Sequence, residues 1–306
     1  QNILNTFQSE LSYTYNENEG SHNVGYDGLL GSWFPWITGG VNYTLDRKVK
    51  DSAKTIHWNE LNAHIGLRAP FDFTKGKQYR SLTLASSFYN TATQITGRYK
   101  DSIANNRLNY LQMSANWSSQ VQKAVQHINP RFAQALYVRY RTMVDDRKAR
   151  QFLATGSLYF PGIAINHSLV LNGAFQLRDT ANQYRFGNSF PFARGYAAYD
   201  MPRMWKGAVN YHFPIVYPDW GFGQLVYFLR IRANLFFDYA QTMSLLNGNV
   251  YQYRSAGSEL YFDTKWWNQQ SVSFGIRYSR LLDTEIAGQK SYNRWELILP
   301  VDLFSH

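Results

Sequence analysis

The sequence predicts an all-β protein, a transmembrane antiparallel β-barrel of about 14 strands (12–16), with an inward-folded extracellular loop carrying Arg-Gly-Tyr. Three observations lead there. The segment from Leu225 to Ala240 places Leu225, Tyr227, Leu229, Ile231, Ala233, Leu235, Phe237 and Tyr239 on one parity and Arg230, Arg232, Asn234 and Asp238 on the other. A period of two means a strand with one apolar and one charged face. At roughly 3.3 Å per residue it reaches about 50 Å, which suits a tilted membrane strand with an extension better than a soluble sandwich strand. The second observation is the aromatic content, 23 Tyr, 20 Phe and 9 Trp, which girdles at two membrane interfaces would use. The third is an alternation of compact and long links between segments, the asymmetry expected of a barrel.

The remaining composition fits. The 306 residues are 44% hydrophobic and 17% charged, with no Cys. No apolar run approaches the roughly 18 residues of a membrane helix, and a barrel escapes that signal because its apolar residues alternate with polar ones. A net charge of +10 suits a polar lumen and loops that meet lipid headgroups and lipopolysaccharide. Lys and Arg are spread along strands and form no recognition helix, which argues against nucleic acid. No basic-then-apolar leader opens the sequence, so an exported chain would be mature or a fragment. No Pro/Gly-rich boundary divides it, so residues 1–306 are expected to form one outer-membrane barrel domain, complete or the C-terminal part of a longer protein.

In chain order, 5–15 is a weak first strand. In 34–46, Ile37, Gly39, Val41, Tyr43 and Leu45 alternate with polar residues. In 57–70, Leu61, Ala63, Ile65 and Leu67 oppose Glu60, Asn62, His64 and Arg68. Segment 79–90 is less regular, and 107–119 sets Leu111, Met113, Ala115 and Trp117 against Gln112, Ser114, Asn116 and Ser118. In 131–143, Leu136, Val138 and Tyr140 point outward and Tyr137, Arg139 and Arg141 inward. Segments 150–160 and 165–178 are joined by a tight turn at Pro161 to Ala164. Then come 203–215, 224–240, 254–266, 270–282 and 292–303. The odd total implies a missed strand, a split strand or an incomplete barrel, since single-chain bacterial barrels are usually even-numbered. Asp219-Trp220-Gly221 and Trp267-Asn268-Gln269 read as compact links, and 179–202, 241–253 and 283–291 as long polar ones. Tyr217, Trp220, Trp266, Trp267 and Trp295 lie near strand ends, as girdle residues should. A charge at Leu229 or Ile231 near the midplane should impair assembly by about 2–4 kcal/mol, and the same charge at Asn234 should be tolerated.

The stretch Ala193-Arg194-Gly195-Tyr196 resembles the lumenal loop motif Val/Ile-Arg-Gly-Phe/Tyr of the bacterial surface-antigen superfamily, the BamA-type insertases, TamA and two-partner secretion transporters. Segment 207–215, ending Phe213-Pro214-Ile215, is similar to that family's next strand. Phe236-Phe237-Asp238-Tyr239 resembles its Phe-x-Asp strand, and Arg254-Ser255-Ala256-Gly257 loosely resembles the one after. The resemblance covers about 165–303, with the motifs in the family's order. It implies a divergent or partial member in which Arg194 pairs with Asp238, a guanidinium forked on a carboxylate that pins the loop inside the lumen. Asn210 stands where the family usually has Glu, no POTRA modules precede the barrel, and fewer segments precede the loop than a 16-stranded relative would have.

Catalytic and metal chemistry find no support. His167 and Ser168 are adjacent on a strand and point to opposite faces, so they cannot form a His–Ser pair. The seven His show no HxH or HExxH spacing, Gly76-Lys77 lacks a P-loop, and the Asn-rich loops carry too few carboxylates for Ca²⁺. We expect no enzyme, cofactor or metal. Two functions are expected instead. One, implied by the resemblance, is outer-membrane protein assembly or polypeptide translocation, with client polypeptides or membrane proteins as partners. The other is a barrel that anchors a partner or soluble domain, or a passive channel favouring anions through Arg139, Arg141, Arg230, Arg232 and Arg277. Asn210 and Asn234 complete the expected lumen lining.

Overall fold

Alternation of side chains about an extended backbone generates a single antiparallel sheet. The computed structural model describes residues 6–299 except 52–53, 125, 180–183, 198–199, 224, 244–247, 268 and 284–291. Its strands are β1 (Phe7–Asn16), β2 (Ser21–Leu30), β3 (Trp36–Asp51), β4 (Lys54–Asp72), β5 (Gln78–Thr96), β6 (Asn106–Val121), β7 (Ala133–Met143) and β8 (Arg150–Pro161). They continue as β9 (Ser168–Arg178), β10 (Arg203–Val216), the short β11 (Trp220–Phe222), β12 (Val226–Met243), β13 (Val250–Trp266), β14 (Gln270–Leu281) and β15 (Asn293–Ile298). Each strand pairs with its sequence neighbours in one continuous meander, except that β10 pairs with β12 and β11 adds only to β12. The architecture is a β-barrel.

The sheet is apolar on the outside and polar within, the reverse of a water-soluble core. Ile65 is 62% exposed and Leu235 51%, whereas Asn234 and Asp238 are 1% and 0% exposed. Hairpin order sorts the connections into two ends. The links β2–β3, β4–β5, β6–β7, β8–β9, β10–β12 and β13–β14 lie at one end, and the long link between β9 and β10 lies at the other with the remaining connections.

Several sequence expectations are corrected. Ser21–Leu30 is a strand that alternation did not reveal, and with it the long strands among the described residues become even in number. Its Gly25, Gly28, Asn23 and Asp27 have low strand propensity, but Gly25 lies between Ser12 and Asn42 of its neighbours, whose side chains occupy the space a Cβ would need. The link at Asp219-Trp220-Gly221 contains β11. The β8–β9 turn runs from Gly162 to His167, closed by Gly162 N–H donating to His167 O at 3.0 Å, so β9 begins at Ser168 and His167 lies outside it. The apolar row read from Leu225 is interrupted, because β12 starts at Val226 and a register shift falls at Leu229. The expected long link 241–253 is shorter, since β12 runs to Met243 and β13 starts at Val250. Trp295 sits inside β15, and 300–303 of the last expected segment lie outside the described residues. Tyr217, Trp220 and Trp267 are exposed at one end of the barrel, as girdle residues should be.

Candidate functional site

The segment between β9 and β10 turns onto the inner face of the sheet. Phe186, Phe190, Ala193 and Tyr196 are all buried there. Phe186 packs with Leu108, Met143 and Ala149, Phe190 with Leu153, Ala174 and Met204, and Tyr196 with Ala240, Tyr253 and Leu281. Inward polar side chains hold its backbone: Arg178 Nη1 donates to Phe186 O at 3.0 Å, Gln151 Nε2 to Gly187 O at 3.1 Å, and Lys206 Nζ to Phe192 O at 2.9 Å. A segment that leaves the strands still needs partners for its peptide groups, and the barrel wall supplies them.

At the centre of this contact Arg194 meets Asp238. Nε and Nη2 fork onto the carboxylate at 3.0 and 2.6 Å, and the Arg194 backbone N–H donates to the same group at 2.9 Å. Nη1 reaches Glu259 Oε1 at 3.2 Å, and Nη2 also donates to Asn210 Oδ1 at 2.7 Å. The guanidinium carbon lies 3.7 Å from the ring centroid of Phe236, a cation–π contact. Around this core, Glu259 accepts from Asn234 Nδ2 at 2.7 Å, Tyr261 Oη at 2.9 Å and Arg277 Nε at 2.6 Å, while Lys206 Nζ stands 3.3 Å from Asp238. Arg277 also reaches Glu296 at 3.1 Å. The network holds Arg194, Lys206 and Arg277 against Asp238, Glu259 and Glu296, so its charges balance. Such balance is what makes buried charge tolerable.

Register explains why these residues converge. Across β10, β12, β13 and β14 one row reads Asn210, Phe236, Gly257 and Ser279, and the next reads Ala208, Asp238, Ser255 and Leu281. Small residues at Ala208, Ser255, Gly257 and Ser279 leave room for a backbone to lie on the wall. At Gly257 a Cβ would fall 2.7 Å from the Phe236 ring, so the glycine accommodates the ring under Arg194. Gly195 adopts φ +82°, and a Cβ there would meet Leu281 Cδ2 at 2.8 Å and Ser279 Cβ at 2.9 Å. Both the left-handed backbone and the close approach require glycine. Tyr196 then reaches past the wall. Its hydroxyl is 2.8 Å from Arg254 O and accepts from Asp283 N–H at 3.0 Å, and the Asp283 carboxylate is itself bound by Arg254 at 2.7 Å. The hydrogen bonds from Arg254 hold the Asp283 carboxyl below the usual carboxylate range.

The structure thus brings Arg194, Gly195, Tyr196, Asp238, Asn210, Asn234 and Arg277 into one cluster. Asn234 departs from expectation. Buried and bonded to both Asn210 and Glu259, it is no open lumenal position, and a charge there would face the Glu259 carboxylate. Arg230 and Arg232 bind a different carboxylate, Asp263, at 2.6 and 3.1 Å, and Arg232 borders the cluster by stacking 4.1 Å from the ring centroid of Tyr261. Arg139 and Arg141 are elsewhere on the wall. Arg141 donates to Gln112 at 2.8 Å with Phe186 5.9 Å away, and Arg139 Nε and Nη2 are buried without a hydrogen-bond partner among the described residues. Sequence reasoning missed Glu259, Lys206 and Asp263, and named Phe236 only as part of the Phe-x-Asp resemblance. The signal for the acidic pair was its shared parity on β13, and for Lys206 its shared parity with Asn210 on β10.

No protein-family model matches the chain, and no curated protein matches it in sequence. Solved structures do. BamA from Haemophilus ducreyi lacking POTRA domains 1–3 superposes with a TM-score of 0.52 at 12% identity, covering 95% of this chain and 69% of that one. CdiB from Escherichia coli superposes with a TM-score of 0.51 at 10% identity, covering 96% of this chain and 59% of that one. The chain has the barrel fold of these two proteins.

Proposed function

We propose that the protein is an integral barrel of the bacterial outer membrane, divergent within the surface-antigen superfamily, that acts in outer-membrane protein assembly or polypeptide translocation. One observation carries this reading: Arg194 and Asp238 close a charge-balanced clamp that pins the β9–β10 segment across the inner face of β10, β12, β13 and β14, in a barrel of the BamA shape. The apolar outer face supports the membrane setting, with lipid and lipopolysaccharide as its surroundings. The clamp braces one half of the wall from within. Rearrangement for a client polypeptide is thereby left to β1–β5, which the packed clusters of the segment do not reach among the described residues.

The test is a vesicle assay. Protein reconstituted into lipid vesicles should accelerate insertion of a urea-denatured outer-membrane barrel substrate over empty vesicles, and Arg194→Ala should abolish most of the acceleration. Equal insertion rates with and without the protein would remove the assembly reading.

A second reading is favoured by a different observation. Of the five arginines expected to line the lumen, Arg230 and Arg232 share the Asp263 carboxylate and Arg277 pairs with Glu259 and Glu296, but Arg139 and Arg141 have no carboxylate partner among the described residues. An unneutralised pair favours a passive barrel selective for anions. A planar-bilayer reversal potential showing anion preference, lost in the Arg139→Gln, Arg141→Gln double variant, would support conduction over assembly. A barrel that neither assembles clients nor conducts would be left to anchoring a partner domain.

A further inference from the structure

The outer wall carries a concavity that the clamp does not explain. Over β4, β5, β6 and β7 two adjacent cross-strand rows face outward. One runs Ala69, Leu84, Ala115, Val138 and the next Leu67, Ser86, Met113, Tyr140. Ala69, Ser86 and Ala115 are small residues among larger neighbours, so the wall dips between Leu84, Met113 and Tyr140. The resulting open cavity is about 460 Å³ and almost wholly apolar, and Pro35 of the β2–β3 turn contributes to its lining.

Its surroundings are graded along the strand axis. One row toward the β4–β5 turn stand Leu82 and Trp117, paired across β5 and β6, and one row further stands Arg80. Arg80 shares outward parity with Leu82, Leu84 and Ser86 and is exposed. Among the described residues no carboxylate pairs with it, its side-chain partner being Gln78 at 2.7 Å. Four residues separate Arg80 from Leu84, about 13 Å along a strand. That is the order of distance between a lipid phosphate and the middle of its acyl chain. Exposed Trp33, Phe34 and Phe73 stand at the same end of the barrel, where an interfacial aromatic belt belongs. Lys75 and Lys77 in the β4–β5 turn add positive charge at headgroup level.

We infer that this groove is a binding site for one anionic phospholipid, its phosphate on Arg80 and one acyl chain lying over Ala69, Ser86 and Ala115. Charge complementarity at one end and an apolar trough of chain width at the other identify the class. The inference rests on the membrane-spanning reading above. Its consequence is a fixed lipid on the outer wall of β4 to β7, whose strands β6 and β7 carry Phe186 of the loop on their inner side.

The experiment is native mass spectrometry of the full chain, purified in mild detergent, delipidated, and titrated with phosphatidylglycerol. The unaltered barrel should retain one phosphatidylglycerol through gas-phase activation. Ala115→Phe, which fills the trough, and independently Ser86→Leu should each weaken retention at least tenfold. Arg80→Gln should remove the preference for phosphatidylglycerol over phosphatidylcholine, while Ala233→Phe on the outer face of β12 should change nothing. Heat-modifiable migration on a gel identifies folded barrels, and only those are compared. Retention undiminished in both groove-filling variants overturns the site, as does an unaltered barrel that holds no lipid or binds at many equivalent places. Insertion into vesicles, scored separately by protease protection, distinguishes failure of this inference from failure of the membrane reading.

Discussion

Arg194 places its backbone N–H and its guanidinium on a single acceptor cluster, so removing its side chain takes the fork from Asp238, leaving it Lys206 and the backbone N–H, and takes one of two arginines from Glu259. Breaking a buried pair typically costs about 3–5 kcal/mol. Arg194→Ala should therefore lower the unfolding free energy read from urea titration of the folded barrel by up to that amount, and Arg194→Lys should recover only part, since an ammonium cannot fork across Asp238 and still reach Glu259. A variant as stable as the parent would show that the clamp contributes nothing. Gly195→Ala should be nearly as damaging, because a Cβ meets Leu281 and Ser279 at a positive φ, whereas Gly187→Ala in the same segment meets nothing within 4 Å and should be neutral. Comparing the two by protease resistance of the loop separates strain from a general cost of substitution. The Tyr196 contact adds a pH dependence. Because Arg254 depresses the Asp283 carboxyl, its contribution is complete above the unfolded value of about 3.9 and disappears as pH falls through the lower folded value. The loop should resist an acid-active protease at pH 5 and become cleavable only well below pH 4. Cleavage already at pH 5 would show that Asp283 does not latch it.

At the scale of a strand, β12 carries both halves of the design. Leu235 and Phe237 face outward and Asn234, Phe236 and Asp238 inward, in strict alternation beyond the register shift at Leu229. The two faces should fail for different reasons. Leu235→Arg puts a charge where lipid is expected and should cost about 2–4 kcal/mol near the midplane. Asn234→Asp instead replaces a donor to Glu259 with a second carboxylate and should cost roughly 1–3 kcal/mol, relieved at low pH as one of the acids takes a proton. Folding yield in vesicles against pH discriminates them: only the inward variant should recover on acidification. β2 shows the complementary lesson, because two glycines and polar residues weaken its own preference and its position between β1 and β3 supplies the structure.

Across the whole molecule, the β9–β10 segment touches the wall from β6 to β14 and couples distant strands through three packed clusters. Replacing 187–196 with a short Gly-Ser link should raise single-channel conductance in a planar bilayer several-fold, and an unchanged conductance would mean that the segment does not fill the lumen. Much of this architecture was legible beforehand. The parity of Leu61 to Leu67, of Met113 to Trp117 and of Leu235 to Phe237 determined which face of each strand is apolar, because a pleated backbone turns local alternation directly into sidedness. The motif at Arg194 to Tyr196 likewise pointed to Asp238. What only the tertiary structure decided is which charges meet. Glu259 belongs to Arg194 and Arg277, Asp263 is shared by Arg230 and Arg232, and Arg139 has no carboxylate partner among the described residues. Those assignments depend on register summed over successive strands and on the path of a loop across them. A shift of one residue in any pairing would turn every side chain to the other face, and no stretch of sequence short enough to read by its period contains that information.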